Sequence, residues 1–228
     1  MNHVKELLLK SKEGKSAMLT VHHLGVSQSD RIVWLCEELE LPYQLVRYDR
    51  TAEGGGPDDY KALHPYGTAP VIEDGDVLLG ESGAIMDYVI AKHGNGRLAV
   101  GRDDPDFADY LYWFHFANGT FMASGMMVLG LIFAGVQIDG NIGRLTARWD
   151  SAFALADQRL GEAPYFAGAS FSAADIMMHF PLTTMRMFVP YDISRHPNIL
   201  AYLQRIAERP AFQRARQKGD PDMPLNLT

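Results

Sequence analysis

Apolar and polar positions alternate in short runs through the first third of the chain and recur at helical spacing through the rest. "MLTVHHL" (Met18 to Leu24) is β-branched and apolar and ends at Gly25, which predicts a strand. "GVSQS" is a loop, and "DRIVWLCEELE" repeats apolar residues at Ile32, Leu35, Cys36 and Leu39, the period of a helix that Pro42 ends. "YQLVRYD" alternates as a second strand, "RTAEGGGPD" is a glycine-rich loop, and "DYKAL" a short helix. "PVIED" and "DVLL" turn about Gly75 as a hairpin, and "SGAIMDYVIAKHG" is amphipathic, with Ile85, Tyr88 and Val89 on one face and Gly94 as its stop. A helix between the first two strands makes them parallel with a right-handed crossover, whereas the hairpin strands are antiparallel.

After "GNGRLAVGRDDPD", whose Gly, Asp and Arg content marks a linker, only helical patterns follow. "FADYLYWFHFA" is one helix. "NIGRLTARWDSAFALADQRLG" turns Leu145, Trp149, Phe153, Ala156 and Leu160 inward, "FSAADIMMHFPLTTMRMF" is a further helix, and "HPNILAYLQRIAER" is the last, stopped by Pro210. Phe116 to Ile138 carries no charge and is long enough to span a bilayer. Its Asn118, Thr120, Ser124, Gln137 and glycines, without a basic flank, predict a buried helix pair and no membrane span. The chain thus divides into an extension (1–17), an α/β domain (18–95), a linker (96–104) and an all-helical domain (105–228).

Composition narrows the function classes. A net charge of −7 argues against a nucleic-acid partner, which needs clustered Lys and Arg. With Cys36 as the one cysteine no internal disulfide can form, which fits a reducing, cytoplasmic setting. The first 17 residues lack the apolar centre of a signal peptide. His22 and His23 are neighbours in a strand and point to opposite faces, so they cannot share an ion, and no metal site is expected.

Three local features carry candidate chemistry. Proline has no N–H, so Pro70 fits at the first residue of a strand, and an Ala69–Pro70 bond can be cis at modest cost. A cis bond would turn the Ala69 backbone out of the ladder toward a ligand's peptide group; a trans one would simply begin the strand. Glu81-Ser82 stands at a helix start, where unpaired N–H groups attract a carboxylate and a free Glu81 could hold an ammonium; a simple cap is the other reading. In "VSQSDR", Ser27 or Ser29 can cap the first helix or donate to an anion at its end, and the sequence shows no His–Asp partner that would make either a nucleophile.

The order strand, helix, strand, helix, strand, strand, helix, with "TAPV" and "ESGAI", resembles the thioredoxin-like domain of the glutathione S-transferases. "APYFAGASFSAADI" is similar to a motif of their helical domain, with Ser172 and Asp175 as a capping box and Phe171 placed for a hydrophobic staple. "GVSQSDRIVWLCEELELPYQL" looks like the serine-type bacterial and fungal branch, and the likeness runs from about Met18 to Phe212. It implies glutathione as co-substrate, bound at Gln28, Ala69, Pro70, Glu81 and Ser82, with Ser27 as the thiolate-stabilising hydroxyl and Ser29 as second choice. A hydrophobic electrophile would meet Tyr110, Trp113 and Phe114 between the domains. A homodimer and a detoxifying transferase are implied too, with peroxidase, dehalogenase and isomerase variants, or a non-catalytic binding protein on the same fold, as alternatives. Departures from the pattern are a Cys36 inside the first helix, no tyrosine after the first strand, and "AEGGGPDD" where relatives carry a basic residue; Lys61 or Arg50 would have to hold the glycyl carboxylate instead.

Overall fold

The computed structural model describes residues 18–137 and 140–228, apart from the side chains of residues 140, 141 and 145. The proposed extension, residues 1–17, and the inward placement of Leu145 lie outside the described residues.

Strands β1 (Leu19–Leu24), β2 (Tyr43–Tyr48), β3 (Val71–Asp74) and β4 (Val77–Gly80) form one sheet in the order β2-β1-β3-β4. Helix α1 (Asp30–Glu38) crosses between β1 and β2, which pair in parallel from Leu19–Tyr43 to Leu24–Tyr48. The other two pairings are antiparallel. The short α2 (Asp58–Lys61) precedes β3, and α3 (Ser82–Lys92) follows β4. This is the expected βαβαββα layer. Of the apolar positions read from periodicity, Ile32, Leu35, Cys36, Leu39, Ile85 and Val89 are buried and Tyr88 partly so, and Val21 and Ile72 of the sheet join them.

Helices α4 (Phe107–Phe116), α5 (Ala123–Phe133), α6 (Gly140–Glu162), α7 (Ala173–Leu182), α8 (Pro197–Ala207) and α9 (Pro210–Gly219) make up the second domain. Leu98 of the linker accepts a hydrogen bond (2.8 Å) from the N–H of Ala173, one of the donors that a helix start leaves open. The Ser172–Asp175 capping box is present, and Asp175 also accepts from Phe166 N at 2.9 Å and Ser172 N at 2.8 Å. Phe171 packs its ring on Trp34 and Tyr165 beneath Arg209, joining the two domains.

Three expectations change. The uncharged stretch is not a helix pair. A π-helical segment (Ala117–Met122) runs α4 into α5, so Phe107–Phe133 is one continuous helix, long and apolar enough by composition to cross a membrane. Phe121 and Val128 of this helix are buried, and Gly125 lets α5 close on α6, since a Cβ there would stand 2.7 Å from the Trp149 ring. Its outer end is exposed at Met126, Ile132 and Phe133. The run from Phe171 to Phe188 is also not one helix: α7 contains Pro181, ends at Leu182, and gives way to a 3₁₀ turn over Thr184–Met187. Pro210 not only ends one helix but opens α9 at its first position, where a missing N–H costs nothing.

Asp175→Ala would leave the N–H groups of Phe166 and Ser172 buried without acceptors. The expected loss is about 2–4 kcal/mol, read as a fall in urea midpoint at unchanged m-value.

Candidate functional site

A cavity of about 380 Å³ lies between the two domains, and its walls differ in origin and chemistry. The α/β domain contributes Val26, Ser27, Gln28, Arg50, Thr68 and Ala69. Facing them, the helical domain contributes apolar side chains only, from Met122 and Met126 through Phe133 to Phe180, Met185 and Phe188.

The polar wall begins where β1 gives way to α1. Val26 has φ +53°, a conformation costly for a β-branched residue, and it is held from both sides. Its N–H donates to Asp220 Oδ1 (3.1 Å) and its carbonyl accepts from Arg50 NH2 (2.8 Å). Arg50 also donates to Gly25 O and Gly54 O, stitching the glycine-rich loop to this turn, and it is the one charged residue among those described as lining the cavity. Lys61 lies away from it, paired with Asp58 at 3.6 Å.

Ser27 lines the cavity, whereas Ser29 is completely buried. Neither side chain caps α1. Ser29 turns back, accepting from Leu24 N at 3.1 Å and lying 2.9 Å from His23 Nδ1. Ser27 Oγ is 2.8 Å from Ser29 Oγ and 2.7 Å from Leu24 O. His23 Nε2 meets Asp220 Oδ2 at 3.1 Å. The His–Asp partner that the sequence did not reveal is therefore present. The signal was Pro210, read as a stop when it also begins the helix whose C-terminal cap is Asp220. His22 faces the other side of the sheet, toward Tyr48, as the strand alternation requires.

A second buried network stands behind Gln28. Arg31, 1 % exposed, donates from NH1 to Gln28 Oε1 (2.5 Å), Asn118 Oδ1 (2.8 Å) and Ser82 Oγ (3.3 Å), and from NH2 to Met177 O (2.6 Å). That last carbonyl is free because its helical partner four residues on is Pro181, which has no N–H. Asn118 lies on the π-helical segment and donates to Ser82 Oγ at 2.9 Å. Burial pushes Arg31 down to about 10, with Asp30 opposing, so it stays charged at neutral pH.

Ala69–Pro70 is cis, and Ala69 lines the cavity while Pro70 immediately precedes β3. Glu81 is exposed with φ +69° and immediately precedes α3, whose first residue is Ser82. Ser82 does not line the cavity but is linked to it through Arg31 and Gln28. Tyr110, Trp113 and Phe114 are packed in the helical core, 3–5 % exposed, and none of them lines this cavity. Only packing distinguishes their aromatic stripe from the methionines that do. Cys36 is fully buried, and burial first, then Glu37, pushes its thiol up to about 12, which removes it as a nucleophile. Among the described residues no cluster of three or more His, Cys, Asp or Glu is placed to hold a metal.

Comparison with known proteins adds independent findings. The domain family described as "Glutathione S-transferase, N-terminal domain" matches residues 22–97, and "Glutathione S-transferase, C-terminal domain" matches residues 139–205. Glutathione S-transferase 3 of Schizosaccharomyces pombe is 31% identical over 216 residues, covering 88% of either chain. Glutathione S-transferase GstB of Escherichia coli is 30% identical over 190 residues, 81% of this chain and 90% of that one. A crystal structure of a glutathione S-transferase from Actinobacillus pleuropneumoniae superposes with a TM-score of 0.81 at 29% identity, spanning 92% of this chain and 99% of that one.

Arg31→Met would strand Met177 O and Asn118 Oδ1 in the domain seam. A loss of about 3 kcal/mol is expected in equilibrium denaturation, and Arg31→Lys should recover only part of it, because one ammonium cannot span both domains' acceptors.

Proposed function

The chain belongs to the glutathione S-transferase family, and we propose that it ionises the thiol of glutathione at Ser27 for attack on an apolar electrophile held against the helical wall. The observation that carries this reading is the two-walled cavity: Gln28, Arg50 and the hydroxyls of Ser27 and Thr68 on one side, apolar side chains on the other. Main chain at Thr68 and Ala69 suits a ligand peptide group. The start of α3, with Glu81 and Ser82, suits the γ-glutamyl end. Gln28 lines the route between them, and Arg50 places a positive charge where the glycyl carboxylate can be drawn.

A thiol with an ordinary value near ~8.5 is only a few per cent ionised at neutral pH. Lowering it by ~2 units takes about 2.7 kcal/mol of preference for the thiolate. A hydrogen bond from the Ser27 hydroxyl, together with the positive end of α1, would supply it. Methionine and phenylalanine dominate the opposite wall, which favours apolar electrophiles of varied shape. A reducing, cytoplasmic setting and a homodimer complete the reading, with the single buried Cys36 consistent with the first.

Calorimetric titration with glutathione and turnover of a chlorinated nitrobenzene test it together. Saturable heat at millimolar glutathione, turnover, and a Ser27→Ala variant that binds within a few-fold but turns over about 10–100 times more slowly are the expected results. Binding without turnover would favour the non-catalytic alternative, and neither heat nor turnover would overturn the reading.

A further inference from the structure

Four side chains form an unbroken hydrogen-bonded line from the cavity wall into the protein: Ser27, Ser29, His23 and Asp220. Its successive separations are 2.8, 2.9 and 3.1 Å, and of its members only Ser27 lines the cavity. His23 and Ser29 are completely buried, so no substrate in the cavity reaches them. The constellation contains the partners of an acyl-transfer triad, but Ser29 sits where no carbonyl substrate can approach it. The line leads instead to the hydroxyl that the proposed function places against a thiol.

The direction of each hydrogen bond follows from its fixed end. Asp220 accepts from Val26 N with one oxygen and faces His23 Nε2 with the other. Burial would raise this carboxyl, yet the His23 hydrogen bond, the charge the ring carries when protonated, the Val26 N–H and the charge of Arg216 hold it below the ordinary range. An ionised carboxylate only accepts, so Nε2 donates to it, and whenever the ring is neutral Nδ1 is left as an acceptor. Ser29 can then donate to Nδ1, and Ser27 to Ser29, with Leu24 O as a second acceptor for Ser27. One lone pair of Ser27 Oγ accepts from Ser29 N at 3.3 Å, and the other is left to accept from a group in the cavity. The charged groups around the ring are Asp220, with Asp30 on α1 and Arg216 on α9 acting at longer range. Gly219 makes room for it, since a Cβ there would stand 3.2 Å from Nε2.

We propose that Ser27, Ser29, His23 and Asp220 are a proton relay that carries the thiol proton of bound glutathione inward and leaves it on His23. The S–H bond breaks as its proton passes to Ser27 Oγ. The Ser27 proton passes to Ser29 Oγ, and the Ser29 proton to His23 Nδ1. The products are a thiolate facing the Ser27 hydroxyl and an imidazolium held by the Asp220 carboxylate, with no change of oxidation state and no proton lost to solvent. All three hydroxyl and imidazole donors then point outward, so the relay in its final state also stabilises the thiolate it has made.

The proposal rests on the glutathione reading, and the test separates the two. Nitrogen-15 NMR of the His23 ring is recorded for the full chain alone, with glutathione, and with S-methylglutathione, which lacks the proton. The expected result is a neutral Nε2–H ring in the free protein and the S-methyl complex, and a doubly protonated ring with glutathione. Thiolate ultraviolet absorbance of the same complexes gives the thiol titration. Asp220→Asn, which would donate to Nε2 and force the hydrogen onto Nδ1, and Ser29→Ala, which cuts the line, should each raise the bound thiol's pKa by about one unit, tenfold less thiolate at pH values below it. A His23 ring unmoved by glutathione while the thiolate absorbance is present overturns the relay alone, as does an unchanged titration in either folded variant. Wild-type protein that binds glutathione without ionising it, or fails to bind it, overturns the functional reading and the relay with it.

Discussion

A buried guanidinium ties the two domains to each other. Arg31 leaves water for a seam in which the available partners are neutral: Gln28 from its own loop, Ser82 from α3, Asn118 from the π-helical segment and the Met177 carbonyl of α7. Taking a cation out of water costs several kcal/mol unless hydrogen bonds replace its hydration. Here the replacements come from three elements of two domains, so the charge is satisfied only when α3, α4–α5 and α7 are all in place. The Phe180 ring lies 5.3 Å from the guanidinium and also lines the cavity, so the same cation that joins the domains stands directly behind the apolar wall.

Helix α1 carries this arginine and is fastened at its other end by different means. Glu38 receives a bidentate hydrogen bond from Arg209, at 2.7 and 2.8 Å, and Glu37 is met by Arg214 and Lys218 of α9. Between these pairs Trp34 is enclosed by Phe171, His179 and Phe212. Exposed ion pairs contribute little, but the two carboxylates are largely buried and the geometry is repeated, which fixes the rotation of α1 about its axis. That rotation decides whether Ser27 faces the cavity and Ser29 the interior. The position of α9 therefore reaches the site twice, through these pairs and through Asp220 at its end.

Much of this architecture was legible in the sequence. The strand and helix periods gave βαβαββα with the right pairings, and the Ser172–Asp175 box marked the start of α7. At Ala69–Pro70 and Glu81-Ser82 the residues marked a strand start and a helix start, because proline and helix starts act locally, but left open whether the Ala69–Pro70 bond is cis. What local patterns could not give were relations across the seam. An aromatic stripe at Tyr110, Trp113 and Phe114 has the same helical spacing whether it faces core or cavity, and the choice was made by which face α7 covered. His23 and Asp220 are separated by almost the whole chain, and only the folding of α9 onto α1 joins them. Pro181 illustrates the intermediate case: the sequence announced a missing N–H, but not that an arginine 150 residues earlier would take the vacant carbonyl.

The two walls of the cavity follow different physical rules. Groups that form hydrogen bonds must be held still, because those bonds are directional and weaken steeply when bent. The polar wall accordingly consists of residues pinned by several partners each: Val26 between Asp220 and Arg50, Ser27 between Leu24 and Ser29, Gln28 by Arg31. Apolar contact is non-directional and depends on area, so the facing wall tolerates motion. Its methionines have three rotatable bonds and a polarisable sulfur, and Met126 and Phe133 remain substantially exposed at the rim. A fixed polar wall and an adaptable apolar one make a site that can hold one ligand in a constant position while the shape of another varies, and that division of labour is set by which domain supplies which side.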